Sequence, residues 1–170
     1  MKKKNLIGSI ILISCCCMMF SGCGKEQKKK TEGPKIPATE VMEVMLKAAE
    51  DTEISTTVSF GEEKYGDNFE FLYNFSMDEI GDGSISYAQK GKSADEISLL
   101  YVKDHKNMAK VMTALKARIT RRIQDFTGYA PEELSKIEGA KVIEKGNYAV
   151  LIITDNTDEV SKAFEKALKK

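Results

Sequence analysis

Near the start of the long polar-and-apolar part of the chain, Val41, Val44, Met45 and Ala48 fall at i, i+3, i+4 and i+7. That spacing predicts an amphipathic helix over 39–50, with Thr39 as its N-cap. The period then shortens. Ile54, Thr56, Val58 and Phe60 alternate with Ser55, Thr57 and Ser59, the pattern of a half-buried strand, although no hairpin partner stands nearby. Phe69, Leu72 and Tyr73 mark a short helix that ends before Gly81-Asp82-Gly83. Runs 84–89 and 96–103 flank Lys90-Gly91-Lys92-Ser93-Ala94 and read as a hairpin, with Ile97, Leu99 and Tyr101 on one face.

Asp104 is placed to cap a long helix whose Met108, Val111, Met112, Leu115, Ile119, Ile123 and Phe126 form one apolar stripe, and Gly128 stands where a left-handed residue ends such a helix. Pro131 suits the first turn of a short helix carrying Leu134 and Ile137. Residues 141–145 and 148–154 form a second hairpin across Gly146-Asn147. Val150 to Ile153 is apolar without alternation, which suggests a central strand covered on both faces. Asn156 with Glu159 resembles a capping box, and Val160, Ala163, Phe164, Ala167 and Leu168 supply the last helix with a buried stripe. Hairpin followed by helix thus occurs twice, over 84–127 and 141–169. Two such units with their helices on one face of a shared antiparallel sheet give a two-layer α+β domain of about four strands, preceded by an N-terminal helical segment.

The first 37 residues follow another logic. Met1-Lys2-Lys3-Lys4 is a positive start, and residues 6–20 are uncharged and mostly apolar, the length of a secretory signal and too short for a typical membrane-spanning helix. Small residues Ser21 and Gly22 then precede Cys23. Phe20-Ser21-Gly22-Cys23 resembles the bacterial lipobox, with Phe in place of the usual aliphatic residue. The resemblance implies a diacylglyceryl group on Cys23, with or without a further N-acyl chain such as palmitate. Leu12-Ile13-Ser14-Cys15 fits the same pattern, but cleavage there would leave Cys16-Cys17-Met18-Met19-Phe20 exposed, whereas Gly24-Lys25-Glu26-Gln27 follows Cys23. Cys23 is therefore preferred as the anchor. The expected organisation is a signal peptide over 1–22, a lipidated cysteine and disordered basic tether over 23–37, and one domain over 38–170 on the outer side of a cell membrane.

Charge and cysteine content sharpen this division. The formal charge of zero splits into five Lys against two Glu over 24–37 and 18 Lys plus Arg against 24 Asp plus Glu over 38–170, so a +3 tether meets a −6 domain. Lys25, Lys28, Lys29 and Lys30 are placed to meet anionic head groups. All four cysteines lie at positions 15, 16, 17 and 23, so the mature chain has no disulfide framework and no thiolate metal site. An exported chain of net negative mature charge is a poor nucleic-acid binder.

No catalytic set is legible. His105 is the single histidine and sits at the start of the long helix, an exposed first-turn position. Phosphate-binding glycine motifs, a nucleophile elbow and a zinc ligand set do not occur. The neighbouring acids Asp78/Glu79, Asp95/Glu96 and Glu132/Glu133 point in different directions on regular structure, so their pairing in sequence is no sign of a catalytic dyad. Neither a cofactor nor a metal is expected. The recognition candidates are Tyr129, Glu132 and Glu133 at the joint between two helices, and Lys106, Lys110 and Arg121 opposite the apolar stripe of the long helix.

Several segments carry a further likeness: Ser93-Ala94-Asp95-Glu96-Ile97, Val102-Lys103-Asp104, Phe126-Thr127-Gly128-Tyr129-Ala130-Pro131-Glu132-Glu133, and Gly146-Asn147-Tyr148 with a strand ending Thr154-Asp155-Asn156. In order and spacing they resemble, over about residues 65–169, the bacterial lipoproteins grouped as domain of unknown function 4358. The resemblance implies a lipid-anchored envelope protein of a clostridia-like organism in the Firmicutes, and supplies no catalytic residues. Together these features predict a non-catalytic binding module whose partner is an envelope protein or wall component. A carboxylate-dependent envelope hydrolase is the alternative.

Overall fold

The structure, a computed structural model, describes residues 33–89 and 93–169. The expected signal peptide, Cys23, the expected tether up to residue 32, residues 90–92 and Lys170 lie outside the described residues.

The fold is α+β. A five-stranded antiparallel sheet, in the order β1-β2-β3-β5-β4, is built from β1 (Thr56–Ser59), β2 (Ile80–Tyr87), β3 (Glu96–Val102), β4 (Lys141–Lys145) and β5 (Tyr148–Ile153). Both expected hairpins are present, β2–β3 and β4–β5, and β3 pairs with β5 at the centre. The fifth strand is β1. It pairs with β2, with Val58 opposite Ile85, across the helix α2 (Tyr65–Tyr73). An intervening helix leaves no turn signal, which is why the alternation of residues 54–60 had no visible partner.

Helices cover both faces of the sheet rather than one. Strand periodicity sends Ile97, Leu99, Val150 and Ile152 to one face, where α1 (Ala38–Ala48) and α5 (Thr157–Ala167) pack against them and against each other. Leu100, Val102, Leu151 and Ile153 point to the other face, under α2, α3 (Met108–Thr127) and the short α4 (Leu134–Glu138). A strand buried at every position needs cover on both sides. β5 is such a strand throughout, as its unbroken apolar run foretold.

Several boundaries shift for identifiable reasons. β2 starts at Ile80 and runs through Gly81-Asp82-Gly83, because Gly83 leaves room for the buried Tyr65 ring, whose hydroxyl an added Cβ would overlap. The N-cap of α1 is Pro37, and Thr39 lies inside the helix. The side chain of Asp104 accepts from Lys106 N at 3.0 Å, starting a 3-10 turn that leads into α3. Gly128 closes α3 with φ −98° and ψ −10°, not in the left-handed region, so the chain passes directly to Pro131. Gly146 takes φ 59°, as the two-residue loop requires. Asn156 does cap α5 by position, but its amide donates at 2.7 Å to the carbonyl of Ala48 at the end of α1, tying the two helices together instead of closing a capping box.

Candidate functional site

The joint between α3 and α4 places its three candidate residues differently. Tyr129 is 65% exposed, resting edge-on against Phe126 at 6.3 Å between ring centroids. Glu132 is exposed. Glu133 turns inward, where it accepts from Ala94 N at 2.8 Å and pairs with Lys136 at 2.9 Å. Lys136 is itself nearly buried and reaches Asp95 and Asp155, each at 3.2 Å. Asp95 in turn accepts from Glu53 N at 2.9 Å and from Ser93 Oγ at 2.7 Å. One ammonium thus clasps the start of β3, the α3–α4 joint and the β5–α5 loop. Burial lowers the pKa of Lys136, but the three carboxylates outweigh it and hold it above its ordinary value. An amine kept charged in this way is a structural cation, not a nucleophile.

On α3 and the turn before it, Lys106 and Lys110 are exposed. Arg121 is half-buried, and its guanidinium donates to the carbonyl of Leu72 near the end of α2. It therefore holds α2 to α3 and does not extend the surface of Lys106 and Lys110. His105 is exposed and lies 3.5 Å from Glu144, a weak pair in high dielectric.

A polar group that the sequence reading missed lies between α3 and the sheet. Glu96, fully buried on β3, receives Arg118 Nε at 3.1 and 3.0 Å and Arg118 Nη2 at 2.6 Å, a charge-assisted fork. Tyr73 donates to the same carboxylate at 3.1 Å and shares a hydrogen bond with Ser98. Arg122 lies 3.8 Å from Glu96, with its guanidinium 4.5 Å above the Phe126 ring. Burial lowers the pKa of Arg118, but the charge and hydrogen bonds of Glu96, together with Tyr73 and Asp125, outweigh it, so the net shift is upward. Arg122 is shifted downward by burial, with the like charge of Arg118 adding to it. The signal was present in the sequence. Arg118 falls within the apolar stripe, three residues after Leu115, and Glu96 and Ser98 share the strand face of Leu100 and Val102.

In the pairs Asp95/Glu96 and Glu132/Glu133 the two adjacent acids part, although Asp95 and Glu133 meet at Lys136. Asp95 and Glu96 serve separate cations, Lys136 and Arg118, and Glu132 and Glu133 point outward and inward. Among the described residues no group of three or more His, Cys, Asp or Glu side chains is arranged to hold a metal ion, and no helix is long and apolar enough to cross a membrane.

One further feature is an open groove of about 500 Å³ where the chain joins the fold, lined by Lys35, Ile36, Tyr101, Lys145, Tyr148 and Leu168 among others.

A family model described as "Domain of unknown function (DUF4358)" matches residues 56–154, more than half of the chain. The match spans all five strands, starting at β1, nine residues before the expected limit, and leaving α1 and α5 outside. No curated protein and no solved structure matches the chain.

Proposed function

Because the chain belongs to the family described as domain of unknown function DUF4358, whose description assigns no activity, we propose a role from its own residues. The protein is a lipid-anchored module on the outer face of a bacterial cell membrane, and it binds an envelope protein or wall component without transforming it. The lipobox-like Phe20-Ser21-Gly22-Cys23 supports the address. The observation that carries the binding role is Tyr129, 65% exposed on a joint whose neighbour Glu133 is tied to Ala94 and Lys136. An aromatic side chain held out on a fixed scaffold offers large contact area at little entropic cost on binding.

Metabolic labelling with palmitate and photo-crosslinking of the membrane-tethered chain test the two halves. Label is expected on the wild type and not on Cys23→Ala; continued labelling of that variant moves the anchor to Cys15 or rejects it. A crosslinked partner lost in Tyr129→Ala supports the binding role. Turnover of a defined envelope substrate by the purified chain, abolished by Glu132→Gln without unfolding, would replace it with a carboxylate-dependent hydrolase.

A further inference from the structure

We infer that the groove at the N-terminal junction seats the phosphate-bearing head groups of an anionic bilayer. The inference rests on the lipid-anchor reading and adds to it a second, non-covalent contact with the same membrane. Thirty-two residues precede the described fold and join it at Gly33, two residues before Lys35. The groove therefore lies at the first described residues of the chain, beside Lys35 and Ile36.

Its chemistry suits the boundary between head groups and acyl chains. The floor is apolar, formed by Ile36, Leu168 and the rings of Tyr101 and Tyr148, which meet edge to face at 5.1 Å. Lys35 and Lys145 supply two cations, and among the described residues no acid lines the groove, the nearby Asp82 being engaged by Ala38 N at 2.8 Å. Tyrosine rings and lysine side chains with apolar stems and charged tips settle at this level of a bilayer. The floor is preformed, since the Tyr148 hydroxyl donates to the carbonyl of Ile36 and fixes the junction against β5. Lys145 lies along the end of α5, with its ammonium 3.3 Å from the carbonyl of Glu165. On a domain of −6, a recess whose described lining carries two lysines and no carboxylate is complementary to anionic lipid.

The test places the lipidated full chain on nanodiscs of phosphatidylcholine, with or without one third phosphatidylglycerol, and follows amide hydrogen exchange over residues 145–148. Exchange is expected to slow on the phosphatidylglycerol discs by roughly fivefold for each engaged lysine. Lys35→Glu, at an exposed position, and Lys145→Glu should each remove part of the slowing. Lys162→Glu, 78% exposed on α5 and outside the groove lining, should leave it intact. Equal rates on the two discs, or slowing that survives Lys35→Glu and Lys145→Glu, overturn the head-group seat while leaving the anchor standing. A chain that stays on neither disc overturns both.

Discussion

The two faces of the sheet are closed by different means. Under α1 and α5, Val41, Met45, Val160 and Phe164 meet Ile97, Leu99, Val150 and Ile152 in an apolar layer, and the buried polar groups of β2 on this side are the hydroxyls of Ser84 and Ser86. Under α3, the opposite alternation of the same strand β3 carries Glu96 and Ser98 into a closed network with Arg118 and Tyr73. An apolar layer gains free energy from buried area and has no directional bond of its own. A buried fork adds a directional requirement, because a one-residue slip would turn Glu96 to the other face of the sheet and leave Arg118 buried without its carboxylate. One face supplies adhesion, and the other fixes alignment.

The largest expected effect breaks the second face. Arg118→Met should cost about 3–5 kcal/mol in urea unfolding, because it leaves a fully buried carboxylate without its forked partner, with only the Tyr73 hydroxyl and Arg122 at 3.8 Å to face it. The double change Arg118→Met with Glu96→Leu should recover most of that loss while broadening the amide NMR spectrum if the pair fixes alignment. A double variant as unstable as the single one would show that the network contributes adhesion instead. On the apolar face, Leu99→Ala should cost about 2–5 kcal/mol through the cavity it leaves. No second-site polar change should rescue it; rescue would erase the distinction between the faces.

Alkaline titration sharpens the comparison with a smaller effect. Burial pushes the Tyr148 hydroxyl up to about 12 from 10.0, and burial likewise raises Tyr65 and Tyr73, the latter with help from Glu96. A raised folded-state pKa contributes stability that is complete below the unfolded value and is lost as pH rises through the folded value. The Lys136 clasp has the same sign, from an unfolded value of 10.5. The melting temperature should therefore hold between pH 8 and 10 and decline from there to about pH 12. An unchanged melting temperature across that window would mean these side chains are solvated in the folded protein.

What could be read from residues alone followed from which forces act locally. The α3 stripe, both hairpins and the Gly146 turn depend on periodicity and backbone preference within a few residues, and these stand in the structure. β1 was visible as alternation but not as a pair, since its partner follows a helix. The second helical layer was implied by β5, whose apolar run demanded cover on both sides, and was hidden by the tidier repetition of hairpin and helix. At the candidate joint, exposure of Tyr129 could be anticipated from the helix break, but the inward turn of Glu133 depends on Lys136 and on the backbone of Ala94, 39 residues earlier in the chain. The Glu96–Arg118 fork joins two positions that each look like a polar interruption of an apolar pattern. Only their meeting explains both.

The bond from Asn156 to the carbonyl of Ala48 spans 108 residues, and that from Tyr148 to Ile36 spans 112. Closing such long loops is entropically costly and falls late in folding. A chain emerging N-terminus first, from a ribosome or any pore, presents Val41, Met42 and Met45 before Phe164 exists to cover them. For that interval the first helix of the fold is an exposed apolar surface, and the order of emergence, rather than the final packing, sets when the protein most needs protection from its neighbours.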